Sequence, residues 1–238
     1  MKLSPLFPIV AAALMLPMAL HAQQAGGSGG TDPENGAGPF VFQEIEAPVV
    51  DRAGVFVAQI GEANTANVTQ ANSGSRVQLR QGSSERPGAR NQADIDQRDD
   101  GTHVAEIVQD GNDNYASIEQ SGDGATGLML VQNGAENTAV ITQAEFDDGF
   151  TGAEIAQNGD DNLLSLAQSG SDNQARLVQD GSDNAMTVTQ SGTGNRLAWQ
   201  QVGDNLSDII VQQDGTQQAM EITQTNIGIM SIPPSAGG

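Results

Sequence analysis

The 238-residue chain contains no cysteine, so no disulfide staples it and no thiol serves catalysis or metal capture. Lysine is nearly absent. Lys2 stands alone, and eight arginines face 30 acidic residues for a formal net charge of −21. Such a charge repels nucleic-acid phosphates and anionic membranes, so neither is expected as a partner. The same charge keeps an unfolded chain soluble. Histidine is scarce too: beyond the first 22 residues only His103 remains. Without cysteine and with one histidine, the chain has no base and nucleophile set for covalent catalysis. Carboxylate pairs such as Asp160 and Asp161 read as solvated turn acids. No catalytic residue, cofactor or metal ligand is assigned, and a non-enzymatic role is expected.

What the chain has is a glutamine at a near-constant step: Gln59, Gln70, Gln81, Gln97, Gln109, Gln120, Gln132, Gln143, Gln157, Gln168, Gln179, Gln190, Gln201, Gln213 and Gln224. Nine of the fourteen intervals are 11 residues and the others are 12, 12, 12, 14 and 16. One small unit is copied with insertions, which is the signature of a repeat array. Seven intervals match Q-x-G-x-x-N-x5-Q in full, as in Gln109, Gly111, Asn114 and Gln120.

An 11-residue period also suits a right-handed helical coiled coil. Each unit, however, carries a glycine, which costs a helix interior about 1 kcal/mol relative to alanine. Between the Asn and the next Gln, residues alternate with period two, which indicates strand. Asn137, Ala139, Ile141 and Gln143 share one face, and Thr138, Val140 and Thr142 the other. The inward pattern is amide, apolar, apolar, amide. The remaining residues, such as Asp180, Gly181, Ser182 and Asp183, are turn formers.

Each unit is therefore a seven-residue strand and a four-residue turn, and two units close a 22-residue coil. The expected fold is all-β: a two-strands-per-coil parallel β-solenoid in cross-β stacking, preceded by a disordered N-terminal segment. Identical coils at about 4.8 Å place like upon like. A buried amide without a partner costs roughly 1 to 3 kcal/mol, and stacked amides satisfy one another. The expected ladder consists of the fifteen glutamines with Asn64, Asn114, Asn137, Asn162, Asn173, Asn184, Asn195 and Gln218, the last standing at an Asn position. Gly61, Gly111, Gly134, Gly159, Gly170, Gly181 and Gly192 are the turn glycines. His103 and Thr126 also take Asn positions, and His103 is expected to interrupt an amide column. Trp199 falls at an inward position, which implies either a locally widened core or a register slip that exchanges Gln200 with Gln201.

The half-repeat N-x5-Q alternating with S-x5-Q, joined by x-G-x-x, resembles the curlin repeat of bacterial curli fibre subunits. Ser75 to Gln81 and Ser207 to Gln213 carry the serine form, and the resemblance covers about Ala53 to Gln224. It implies a secreted subunit that polymerises with itself and with other curlin subunits into an extracellular amyloid fibre at the cell surface, contributing to biofilm matrix, adhesion and colonisation. It also implies an outer-membrane secretion channel and accessory proteins as partners. A minor subunit that nucleates the fibre, or a soluble secreted adhesin or divalent-ion-binding solenoid, are the alternatives. The nine-residue unit of calcium-binding β-rolls is absent.

Residues 1–22, with Lys2, an apolar run through Ile9 to Leu16 and Ala22 before the cut, read as a secretory signal. Residues 23–52 read as a flexible, Gly-rich acidic segment with Phe40, Phe42 and Ile45 as docking candidates, and the curlin resemblance implies that it addresses the chain to its secretion channel. The array occupies 53–224 and a tail 225–238. Two turns are enlarged, through Ser83 to Gly88 and through Phe146 to Phe150, and both should bulge outward at little entropic cost. The turn acids Asp110, Asp113, Asp160, Asp161, Asp172, Asp180, Asp183 and Asp204 should stack as columns of like charge. Asp110, Asp160, Asp180 and Asp183 are singled out as gatekeepers against premature assembly.

Overall fold

The computed structural model describes residues 43–47, 49–226 and 228–232, the last five by their backbone. The expected signal segment, Phe40, Phe42 and the end of the tail lie outside these residues. Strands follow the repeat in chain order: β1 (Gly54–Gln59), β2 (Gly61–Glu62), β3 (Thr65–Gln70), β4 (Arg76–Gln81), β5 (Gly88–Ala89) and β6 (Gln92–Gln97). Then come β7 (His103–Asn112), β8 (Tyr115–Gly122), β9 (Ala125–Ala135), β10 (Thr138–Glu145), β11 (Phe150–Asn158) and β12 (Leu163–Ser171). The last six are β13 (Gln174–Asp180), β14 (Ala185–Thr193), β15 (Arg196–Val202), β16 (Ile209–Thr216), β17 (Ala219–Thr225) and β18 (Gly228–Ile232). No helix occurs among the described residues, and none of their segments forms a helix able to cross a membrane.

The strands alternate between two parallel sheets. Sheet A runs β1-β4-β7-β9-β11-β13-β15-β17 and sheet B runs β3-β6-β8-β10-β12-β14-β16. The result is a parallel β-solenoid of about seven turns, with glutamine paired to glutamine at each step, as in Gln157 with Gln179 and Gln168 with Gln190. Between the sheets lies one continuous apolar core that includes Leu79, Ile107, Leu130, Ile141, Leu166, Leu177 and Val188. Each inward residue sits on its equivalent in the next coil, so the core is a set of aliphatic columns. Trp199 is inward between Leu177 and Ile222, and Gln201 keeps register with Gln179 and Gln224. The register does not slip there. The indole Nε1 is buried without a partner.

The turn glycine has two physical causes. At Gly111 φ is +128°, a region open to residues without Cβ. A Cβ there would also lie 1.9 Å from the carbonyl oxygen of Gly134 in the next coil. Two residues on, Ala63, Arg90, Asp113, Glu136, Asp161, Asp183 and Asn205 all adopt φ of 53–59°, turning the chain into the next strand start. One corner departs from this. Glu145 takes the glycine place between Gly122 and Gly170, where the enlarged turn leaves the stack.

Both enlarged turns bulge as expected. Gly61 pairs with Gly88, so the stack closes beneath the inserted loop. One register differs from expectation: Leu206, not Ser207, occupies the strand-start column, because its N–H donates to Asn184 Oδ1 at 3.0 Å. Ser207 moves to the next place, where its carbonyl accepts from Gln224 Nε2. The extra residue is absorbed before Ile209, which pairs with Met186.

At the end of the array β18 runs antiparallel to β17, with Gln224 opposite Ile229. It is the one antiparallel pairing among the described strands.

Candidate functional site

The residues singled out in the sequence converge on polar columns along the stack. In sheet A each Nε2 donates to the Oε1 of the next glutamine: Gln59 to Gln81 at 2.7 Å, Gln81 to Gln109 at 2.8 Å, and onward through Gln132, Gln157, Gln179 and Gln201 to Gln224 at 2.9–3.0 Å. Sheet B carries a second file, Gln70, Gln97, Gln120, Gln143, Gln168, Gln190 and Gln213, with steps of 2.7–3.1 Å. Nε2 also donates across the coil to a strand-start carbonyl, as Gln179 does to Leu163 at 3.1 Å and Gln190 to Gln174 at 3.1 Å. Both hydrogens of an interior amide are therefore used, which is the condition for burying it without penalty.

Asparagine builds a third file at the start of the sheet B strands: Asn64, Asn91, Asn114, Asn137, Asn162 and Asn184. Asn114 Nδ2 donates back to Asn91 Oδ1 at 3.0 Å and forward to the Gly134 carbonyl at 2.9 Å. The backbone N–H of each Asn donates to the previous Oδ1, as from Asn137 to Asn114 at 3.2 Å. Asn91 was missed by the sequence pattern because the inserted loop displaces its glycine, although Asn91 and Gln97 keep the N-x5-Q spacing.

The corresponding sheet A column is mixed: Ser75, His103, Thr126, Thr151, Asn173, Asn195 and Gln218. His103 replaces the amide bonding with its ring. Nε2 lies 2.6 Å from the Arg98 carbonyl and Nδ1 2.9 Å from Thr126 Oγ1. A carbonyl only accepts, so Nε2 carries the proton and Nδ1 receives the threonine hydroxyl. Burial pushes this imidazole below its ordinary value of 6.5, against the opposing pull of the Arg98 carbonyl and Asp99. Further along, Glu145 is fully buried and accepts from Thr151 Oγ1 at 2.7 Å and from the Asp172 N–H at 3.0 Å. Its carboxylate supplies the acceptors that the bulging turn removes.

Burial grades along the files. Gln81 through Gln224 are buried, whereas Asn64, Gln70 and Gln218 are half-buried and Gln59 is exposed. Gln218 still donates its N–H to Asn195 Oδ1 at 3.2 Å.

The turn acids do not stack as one like-charge set. Asp110 is held by Arg80 through two bonds of 3.0 Å and stands in register with Asn133, Asn158 and Asp180. Asp160 Oδ1 accepts from the Ala135 N–H at 2.7 Å. Only Asp183, of the four singled out, joins a run of acids, with Asp113, Glu136 and Asp161 at the left-handed corner. The arginine at the head of that run, Arg90, hydrogen-bonds Asp113 and holds its carboxyl below the usual range.

Among the described strands, the files stop on the open edges of β1 and β3 at the N-terminal end and on β16 at the other, where β17 is covered by β18. A model of the curlin associated repeat matches residues 153–192, from within β11 into β14. The match supports the resemblance to the curlin family carried by the glutamine, glycine and asparagine spacing. No curated protein matches the chain. No solved structure matches it.

Proposed function

We infer that the chain is a secreted structural subunit that self-assembles end to end into curli-like extracellular amyloid fibres, serving biofilm matrix, adhesion and surface colonisation. The observation that carries this reading is the direction of the ladders. Along the two files every glutamine amide donates to the next glutamine toward the C-terminal end, leaving Gln59 and Gln70 with acceptors facing outward at the first coil, while Gln213 and Gln224 carry the donors at the last. A second copy placed head to tail and turned by half a turn about the stack continues the files without reversal, because with eight strands in sheet A and seven in sheet B its β1 extends the sheet ending at β16 and its β3 the sheet ending at β17. Unpaired edges template addition.

In the fibre the ladder residues bond between copies as they do within one. The gatekeeper role falls on the acid run that includes Asp183, which repels its own kind along the stack. The subunit acts by pairing, not by catalysis. Export through a curli-type channel belongs to the same reading.

β18 favours a refinement: at the C-terminal end it occupies the sheet A edge that an incoming strand needs. Purified chain lacking residues 1–22 tests the reading. Thioflavin-positive fibres with a reflection near 4.7 Å are expected, and a persistent monomer at all concentrations would refute it. Substoichiometric seeding of a second curlin-repeat protein would instead identify a nucleator.

A further inference from the structure

On the outer face of sheet A, the first outward place of successive strands is filled by Arg76, Val104, Gly127, Gly152, Gln174, Arg196 and Ala219. Two adjacent glycines in one outward column leave a notch two coils tall. Beside it the chain lays residues 43–47. The Ile45 N–H donates to Gln174 Oε1 at 2.9 Å, and Gln174 Nε2 donates to the Ile45 carbonyl at 3.3 Å. This amide reads a peptide unit by both its polar groups, as a neighbouring strand would. Gln174 is outward yet 3% exposed, and Ile45 is 9% exposed. A Cβ on Gly152 would meet the Phe150 ring at 2.8 Å and Ile45 Cγ2 at 3.2 Å. Glu44 reaches Arg196 at 3.9 Å, and Glu46 borders Glu106, Gly127 and Met129 on the other side. The segment therefore crosses the strands instead of extending one.

We propose that Gly127, Phe150, Gly152, Gln174 and Arg196 form a peptide-binding notch whose ligand is the chain's own acidic–isoleucine–acidic segment, residues 43–47. The notch is assembled from β9, β11, β13 and β15, so it does not exist before those coils have stacked. The segment is an accessible linear peptide in the unfolded chain and is covered once the solenoid forms. Specificity has three parts: glycines that admit the isoleucine, a carboxamide that fixes the peptide direction, and an arginine that favours an acid before the isoleucine. None of this depends on polymerisation.

The test uses the full mature chain and a glutamate-specific protease, which cuts after Glu44 and Glu46. In the folded chain these sites are expected to resist cleavage. Ile45→Asp, which leaves every solenoid residue in place, and Gln174→Ala should each speed cutting there at least about tenfold, with the β-sheet circular dichroism signal retained. A fluorescent peptide spanning residues 41–49 should bind the Ile45→Asp chain saturably and fail to bind an Ile45→Asp, Gly152→Leu chain. Equal cleavage rates in the parent and both variants would overturn the proposal. Protection that rises with chain concentration would overturn it as well, since the segment would then be held by a second copy.

Discussion

The two ends of the solenoid are built from the same repeat and finish differently. At the N-terminal end no described strand lies beneath β1, and its core-facing Val55 and Val57 are each 44% exposed. At the C-terminal end β17 lies under β18, and the equivalent Ile222 is 5% exposed. Sheet B lacks this asymmetry, because β3 and β16 are both edge strands among the described residues. A repeat array thus determines how coils stack, while the flanking residues determine which edge stays available. In the proposed fibre, parallel addition can start on β1 and β3 and must displace β18 to proceed on β17.

The largest expected effect comes from spoiling the open end. Val57→Lys places a charge at an edge that only a second copy would bury. Fibre elongation should fall about a hundredfold or more, while the denaturation midpoint of the monomer barely moves. Equal elongation would mean that β1 is not a growth edge.

Next comes a comparison of interior and end rungs of one ladder. Gln179→Leu strands the Gln157 donor and the Gln201 acceptor in the core and should cost about 2–4 kcal/mol. Gln59→Leu leaves its amide file at an exposed rung and should cost less than about 1 kcal/mol. Urea unfolding of the two variants checks the difference, and equal losses would remove the argument from burial.

Removing residues 227–238 uncovers β17. Seeded growth should then accelerate, by about tenfold if β18 contributes roughly 1.4 kcal/mol of edge pairing. A slower truncated chain would show that β18 assists addition.

A smaller effect separates the acid columns. Asp161→Asn with Asp183→Asn relieves a like-charge run and should shorten the assembly lag at low salt, whereas Asp180→Asn alone should change it less. Lag times at two ionic strengths distinguish them.

The smallest effect is a pH dependence at His103. Its imidazole is held below 6.5 in the folded chain by burial, so the unfolded chain binds the proton more readily. Its contribution is complete above pH 6.5 and is lost as pH falls below it toward the depressed folded value. Thermal midpoints between pH 7 and pH 5 should decline in the parent and decline less in His103→Asn.

The strands and glutamine files were legible in the sequence because both depend on local periodicity, which the stack only repeats. Asn91 was legible in principle by its distance from Gln97. Other features depend on register between distant coils. Whether Leu206 or Ser207 enters the column turns on which N–H meets Asn184 Oδ1. Glu145 is buried because an enlarged turn withdraws backbone acceptors, which no residue pattern records. The acid run at the corner appears only once insertions of different length have been aligned by pairing. The notch over Gly127 and Gly152 needs two glycines 25 residues apart to become neighbours. β18 has no repeat signature at all, and its pairing follows from the edge that β17 leaves.

The most direct measurement is mass per length of the fibre by scanning transmission electron microscopy. Fifteen repeat strands in two columns at about 4.8 Å per coil give about one chain per 36 Å of fibre, and that value is expected alongside a 4.7 Å meridional reflection. One chain per about 4.8 Å would mean that whole extended chains stack, and would contradict the solenoid subunit.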